Sequence, residues 1–297
     1  MNIDYKLLQA LSTVIEYQNF ELAAAQLCLS QSAISQRIKQ LEDLLGHPVL
    51  VRAKPLKPTV IGEHLIAHYQ QVHQLEKNLL QQILPDIPTQ PTKLAVALNA
   101  DSLATWFLDA LSPLLKKHPI ELDMIIANEA LTTNRLKSGE AFGAVSLSSK
   151  ALPNFQAVRL GKMNYIMVAS AQFYQYYFSN GINRNTLKRA PAVTFDKDDE
   201  MHFRFIHQHF ALQPGDYPCH IVRSSEAFID MALKDLAYCI APEIQVKQYL
   251  EQDILLNIMP DKYFEQTLYW HFWILSKGIF RDASNLIIQH AHQVLAQ

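Results

Sequence analysis

The sequence predicts an α/β protein that carries an all-α winged helix-turn-helix head on a long linker helix, followed by a two-lobed effector domain. Three observations predict it. A pair of helical segments at 20–45 buries one face and leaves a polar one, residues 60–84 form an amphipathic run free of proline, and from residue 93 short apolar runs alternate with amphipathic helices. The last pattern is the grammar of a parallel sheet with right-handed crossovers.

In the head, Phe20, Leu22, Ala23, Ala24 and Leu27 recur at helical spacing and predict an inward face. Ser30 is placed to cap the next helix, whose apolar positions are Ala33, Ile34, Ile38, Leu41, Leu44 and Leu45. That leaves Gln31, Ser32, Ser35, Gln36, Arg37 and Lys39 on or beside the outer face. Amides and hydroxyls at a helix N-terminus suit base edges, and the cations behind them suit phosphates. An ordinary helical pair with a polar surface is the alternative. Gly46-His47-Pro48 ends the helix, and Pro48–Arg52 and Leu56-Lys57-Pro58 read as two short strands around a turn at Lys54-Pro55. The resulting wing presents Arg52, Lys54 and Lys57 to a phosphate backbone. Thr59 caps the helix that follows.

Composition narrows the class. Of 297 residues, 49 % are hydrophobic and 18 % charged, which excludes a disordered chain and allows two or three domains. No apolar run approaches the length of a membrane span, and the start MNIDYKLLQ lacks the pattern of a secretory signal, so a cytoplasmic protein without membrane contact is expected. Cys28, Cys219 and Cys239 are too scattered for a disulfide framework or a zinc site and are expected as small buried residues. Residues 1–60 hold six basic and five acidic side chains, with five of the six cations between 37 and 57. A local patch of that kind holds phosphates, but one copy binds weakly, so dimerisation is expected to supply the rest.

The expected divisions are 1–59 for the head, 60–84 for the linker and dimerisation helix, 85–92 for a proline-rich hinge, and 93–297 for the effector domain. In the linker, Leu65, Val72 and Leu79 share a heptad position, flanked by Ile61, Tyr69, Leu75 and Ile83. The helix would be about 35 Å long. Its seam predicts a coiled-coil-like partner, against the alternative of packing on its own chain. His64 and His68 lie one turn apart, but nothing completes a metal set, and a solvated face is expected.

In the effector domain, strands are expected at 93–98, Ile120–Ala127 and Phe142–Leu147, with helices at Asp101–Lys117 and Leu131–Ser138. A second set covers Tyr165–Ala169, Ala192–Phe195, His220–Val222 and Leu236–Ile240; Leu268–Leu275 returns the chain, and a last helix spans about 280–295. Lobe I is thus expected at about 93–164 and 268–297, and lobe II at about 165–267. In such folds ligands sit beyond strand C-termini and at helix N-termini. The loops there carry Asn99, Asp101, Ser102, Glu129, Ser146, Asp196, Ser224, Ser225 and Glu226. Each alone reads equally as a helix cap; their convergence on one cleft predicts a binding site. One or two buried carboxylates would suit a cationic ligand, whereas Asp198-Asp199-Glu200 reads as solvated, and His202, His207 and His209 as surface decoration of a helix. No nucleophile elbow, phosphate loop, His-Glu-x-x-His or Cys-x-x-Cys motif is present, so neither an enzyme nor a resident metal or cofactor is expected.

Over its full length the chain resembles the LysR-type transcriptional regulators. The segment AAAQLCLSQSAISQRIKQLEDLLGHPVLVRAKPLKPTVIG is similar to that family's N-terminal signature. KLAVALNADSLATWFL, GAVSL, DDEMHFRF, PCHIVRSSEAFI and LYWHF resemble its arginine- and lysine-responsive branch. The resemblance implies a periplasmic-binding-protein-like effector domain and a homodimer or tetramer built from dimers. It also implies L-lysine or L-arginine as co-effector, and control of genes for export or metabolism of basic amino acids. It places Gln31, Ser32, Ser35, Gln36 and Arg37 in the major groove of double-stranded DNA and Arg52 on the wing. Trp106 joins Asn99, Asp101, Ser102, Ser224, Ser225 and Glu226 in the cleft. RNA polymerase is a further expected partner of such a regulator. A solute-binding component and a regulator with a different small-molecule effector are the competing readings. Segments 172–189 and 275–297 resemble the branch less than these motifs do.

Overall fold

The structure, a computed structural model, describes residues 3–83, 91–127, 132–197 and 199–297, with the backbone alone at 77, 78, 81 and 82. The head opens with α1 (Tyr5–Tyr17), α2 (Phe20–Gln26) and α3 (Gln31–Leu45). Asp4, Asn19 and Ser30 cap them, each side chain accepting a first-turn N–H, and Gly46 ends α3 at φ 68°. Ala23, Ala24, Ile34, Ile38 and Leu41 close on Leu8, Leu11 and Val14 of α1. Leu22 and Leu44 were expected inside and are exposed. At about 100° per residue, Leu22 falls roughly 150° from the centre of a stripe built on Ala23 and Ala24.

The wing is β1 (Leu50–Val51) paired antiparallel with β2 (Lys57–Pro58). It leads into α4 (Val60–Ile83), where Thr59 Oγ1 accepts the Gly62 N–H at 3.1 Å. The seam expected along α4 divides in two. Ile61, Leu65, Ile66 and Tyr69 pack into the head's own core, because the first two turns lie over α1. Leu79, Leu80 and Ile83 remain exposed. The hinge expected at 85–92 lies outside the described residues except for its last two.

The C-terminal domain runs β3 (Thr92–Leu98), α5 (Ala100–Ser102), a π-helical turn (Leu103–Phe107), α6 (Leu108–Lys117), β4 (Ile120–Ile126), α7 (Thr132–Lys137) and β5 (Gly143–Ser146). It continues as β6 (Phe155–Ser170), α8 (Ala171–Phe178), α9 (Arg184–Leu187), β7 (Ala192–Thr194), α10 (Glu200–Phe210) and β8 (Cys219–Ile221). Then follow α11 (Ser225–Leu233), β9 (Cys239–Pro242), α12 (Glu243–Glu251), β10 (Leu255–Asn257), β11 (Tyr263–Trp273) and α13 (Ile279–Val294). As expected, β3 lies parallel to β4 and β5. The whole sheet, however, is mixed, in the order β10-β6-β11-β5-β3-β4 with β9 also on β6. The cause is the pair β6 and β11, which run antiparallel over their length and carry one sheet through both lobes. β6 extends ten residues further upstream than the expected strand at 165–169, so the boundary expected at about 164 falls within it.

The parallel pair β7 and β8 stands apart, joined to β9 through an Ala192–Tyr238 bridge. The strand expected from Leu236 begins only at Cys239. Asp235 takes φ 60° and Leu236 N–H returns to Met231 O at 3.0 Å, so the chain is still closing α11 there. The strand β10 was not anticipated. Trp106, Phe107, Trp270 and Phe272 are buried between the sheet and α6 and α13. Cys28 and Cys219 are exposed and only Cys239 is buried, against the expectation for all three. No described helix is long and apolar enough to cross a membrane.

Candidate functional site

On the head, Gln31, Ser32, Gln36 and Lys39 are exposed and Ser35 and Arg37 half-buried. Ser30 Oγ lies 2.9 Å from Ser32 Oγ, and Gln31 Nε2 donates to Ser35 Oγ at 3.1 Å. The first turns of α3 thus offer a connected row of hydroxyls and amides, with Arg37 and Lys39 a turn further on. Arg52, Lys54 and Lys57 stand exposed on the wing, and Arg52 pairs with Glu42 at 3.8 Å, tying wing to helix. Arg52 itself is exposed, and a pair of that length contributes little stability and yields readily to another anion. His68, expected on a solvated face, bonds through Nε2 to Tyr5 Oη at 2.7 Å.

The other site lies where β3 ends. Asn99 is buried and caps α5, its Oδ1 accepting Ser102 N–H at 3.2 Å. Asp101 then meets groups from two distant elements. Ser225 Oγ, in the first turn of α11, donates to Asp101 Oδ1 at 2.6 Å, and Tyr165 Oη, on β6, donates to Oδ2 at 3.0 Å. Ser225 Oγ also lies 3.0 Å from Gln245 Oε1 on α12. Its single proton goes to the closer, ionisable acceptor. Burial pushes the Asp101 carboxyl above its ordinary range; the Ser225 and Tyr165 hydroxyls oppose that, and the charges of Asp199 and Glu226 add to it.

Next to Asp101 and just over a turn beyond it, Ser102 Oγ and Trp106 Nε1 are buried and have no hydrogen-bond partner among the described residues. Ser102 precedes the π-helical turn and Trp106 lies within it, an irregularity that recurs at functional sites. Leaving such groups unpaired costs about 1–3 kcal/mol each. Two buried groups able to donate thus lie on the same short segment as Asp101.

The remaining expected residues are placed as follows. Ser224 caps α11, accepting Ala227 N–H at 3.2 Å, and donates to Glu226 Oε2 at 2.8 Å. Ser146 is buried at the end of β5 and Asp196 half-buried after β7. Glu129 and Asp198 lie outside the described residues. Asp199 corrects the solvated reading of its run: it caps α10, accepting from Thr194 Oγ1 at 2.6 Å and from the N–H groups of Phe195 and His202 at 3.1 Å. His202 is likewise no surface residue, and burial drives its imidazole down to about 4. Sequence reasoning missed Tyr165 and Gln245. Tyr165 opens an apolar strand, and its hydroxyl was the one signal that it does more than pack.

The head matches the family model described as "Bacterial regulatory helix-turn-helix protein, lysR family" over residues 5–63, and the C-terminal domain matches "LysR substrate binding domain" over 90–274. Head and cleft together define a DNA-binding regulator with a ligand-binding domain, and the chain belongs to the LysR family of transcriptional regulators. Among its relatives, the HTH-type transcriptional regulator ArgP of Aeromonas salmonicida is 49 % identical over 293 residues, 99 % of this chain and 98 % of its own. The ArgP of Photobacterium profundum is 47 % identical over 295 residues, 99 % of each chain. In structure, ArgP from Mycobacterium tuberculosis superposes with a TM-score of 0.88 at 29 % identity, covering 99 % of both chains. LysG from Corynebacterium glutamicum, solved with bound effector Arg, shares the fold with a TM-score of 0.82 at 24 % identity, over 99 % of this chain and 100 % of its own. These relatives are transcriptional regulators, not enzymes.

The Asp101 environment has a consequence for stability. A carboxyl raised above 3.8 on folding binds its proton more tightly in the native state, so this group's contribution falls as pH rises from 3.8 through the raised value. Asp101→Asn removes that slope. Its melting temperature relative to the parent should be higher at pH 8 than at pH 4; a difference independent of pH contradicts the desolvated carboxyl.

Proposed function

We propose that a basic amino acid, L-lysine or L-arginine, binds between the two lobes and sets how this regulator engages DNA. The observation that carries the reading is Asp101, a half-buried carboxyl that meets hydroxyls of β6 and α11. A ligand cation beside it favours the ionised form, so affinity gained there selects for positive charge. Ser102 Oγ and Trp106 Nε1 supply donors for the α-carboxylate. Asn99 holds that turn in place, and Ser225, Glu226 and Tyr165 line the opposite side. The ArgP relatives and the arginine-bound LysG support the same ligand class.

On the DNA side, Gln31, Ser32, Ser35 and Gln36 read base edges, while Arg37, Lys39, Arg52, Lys54 and Lys57 meet phosphates. The exposed Leu79, Leu80 and Ile83 of α4 extend the apolar face toward a second copy, giving a homodimer or a dimer of dimers. The division is that of a head at 1–59, an arm at 60–84, a hinge at 85–92 and an effector domain at 93–297. The protein acts in the cytoplasm, with RNA polymerase as a further partner, on genes for export or metabolism of basic amino acids.

Two experiments test the reading. Calorimetry of the full chain with L-lysine and L-arginine should show binding that Asp101→Asn weakens by roughly 2–5 kcal/mol, the cost of truncating one partner of a desolvated charge pair. Parent-like affinity in the variant removes Asp101 from the site, and no binding by the parent removes the ligand class. For DNA, Gln36→Ala should relax sequence preference, whereas Arg52→Ala should weaken all duplexes alike and lower the salt slope by about one. Equal losses on specific and random DNA for Gln36→Ala speak against base reading.

A further inference from the structure

Within one turn, α4 touches both halves of the molecule. Ile66 is buried in the head core, and its neighbour Ala67, with Gln70 beyond it, meets the turn that follows α7. There Gly139 sits at φ +76°, and a Cβ on it would lie 2.2 Å from Gln70 Oε1 and 2.8 Å from Ala67 Cα. The amide of Gln70 can swing aside; the Ala67 backbone cannot. Gly139 is required both by its conformation and by the closeness of the arm.

Both sides of this contact are stiff. On the head side, a Cβ at Gly62 would lie 2.1 Å from Val49 O, so the arm's first turn is seated directly on the wing. On the lobe side, Arg135 Nη1 bonds Glu140 Oε2 at 2.7 Å, Ser138 Oγ bonds Glu140 Oε1 at 2.8 Å, and Leu136 and Ala141 pack on Ala97 and Ala144 of the sheet. Beside the contact lies a cavity of 1080 Å³, bordered by Gln9 and Glu16 of the head, Gln74 of the arm, and Trp273 and Phe280 of the lobe. Head and lobe therefore bear on each other across a gap, with room to tilt. At its other end, α7 begins beyond the C-terminal edge of β4, the side of the sheet where β3 leads into Asp101.

We propose that the Gly139 turn is the bearing on which the arm rests, that it sets the angle of the reading head to lobe I, and that movement at the cleft reaches the head through it. The last clause rests on the ligand reading above; the first two do not.

The test uses the full chain with spin labels on the native, exposed Cys28 of the head and on Glu121→Cys of β4, in a Cys219→Ser background diluted with unlabelled protein. Without any amino acid, Gly139→Ala and Ala67→Leu should each shift or broaden the head-to-lobe distance. Gly181→Ala is the control, since Gly181 has φ +85° and open space around its Cβ position. It should leave the distance unchanged. Parent-like distances in Gly139→Ala overturn the bearing, as does an equal change in Gly181→Ala. Should Gly139→Ala fail to fold, Ala67→Leu, free of backbone strain, decides alone. Added L-arginine should change the distance in the parent and leave it fixed in Gly139→Ala, while calorimetric affinity stays within threefold. A full arginine-driven change in that variant, or loss of its arginine binding, overturns the coupling. A parent that ignores both L-arginine and L-lysine refutes the ligand reading, and the amino-acid-free distances still judge the bearing.

Discussion

Asp101 is half-buried where β3 hands the chain to α5, and the hydroxyls that meet it belong to β6 and α11. A buried carboxyl is costly unless each oxygen finds a donor. Here each oxygen has one, and the two donors are carried by different elements of the second lobe's frame. The lobes are held in register by the same group that a cation between them would stabilise.

That arrangement depends on how the sheet is built. β6 and β11 cross between lobes as paired antiparallel strands, with a register shift between Leu268 and Tyr269 where Gly161 lies opposite. Gly161 takes φ +141°, and Leu295 occupies the place of its missing side chain. The crossing strands form a connection that is continuous in hydrogen bonding yet irregular at one point, which suits limited rotation of one lobe against the other. The arm shares its first turns with the head core and its next with lobe I. The reading head is thus a small separate core whose orientation is inherited from α4.

Much of this was legible in the sequence because the head obeys local rules. Ser30 caps, Gly46 stops, Thr59 caps again, and the apolar positions between them recur at helical spacing. The strands β3, β4 and β5 announced themselves as apolar runs between amphipathic helices. Sequence reasoning failed where tertiary context decides. Nothing local distinguishes Asp199, which caps a buried turn, from Asp198 and Glu200 beside it. His202 looked like its neighbours His207 and His209, and only packing against Tyr217 and Tyr238 separates it. The length of β6 was hidden because Arg159, Gly161 and Lys162 interrupt the apolar residues upstream of Tyr165. Asp101 and Ser225 were singled out from their places after strands; Tyr165, which bonds Asp101 from 64 residues away, and Gln245, which lies against Ser225 Oγ, were beyond the reach of any spacing argument.

Selection for positive charge at the lobe joint is the centre of this account. Calorimetric titration of the full chain with two matched pairs tests it most directly: L-arginine against L-citrulline, and L-lysine against L-norleucine, each pair alike in backbone and close in length but differing in the distal cation. For the amino acid that binds, its neutral counterpart should bind at least about 30-fold more weakly, the lower end of what a desolvated charge pair contributes. Neutral counterparts that bind as tightly as the cations contradict the account.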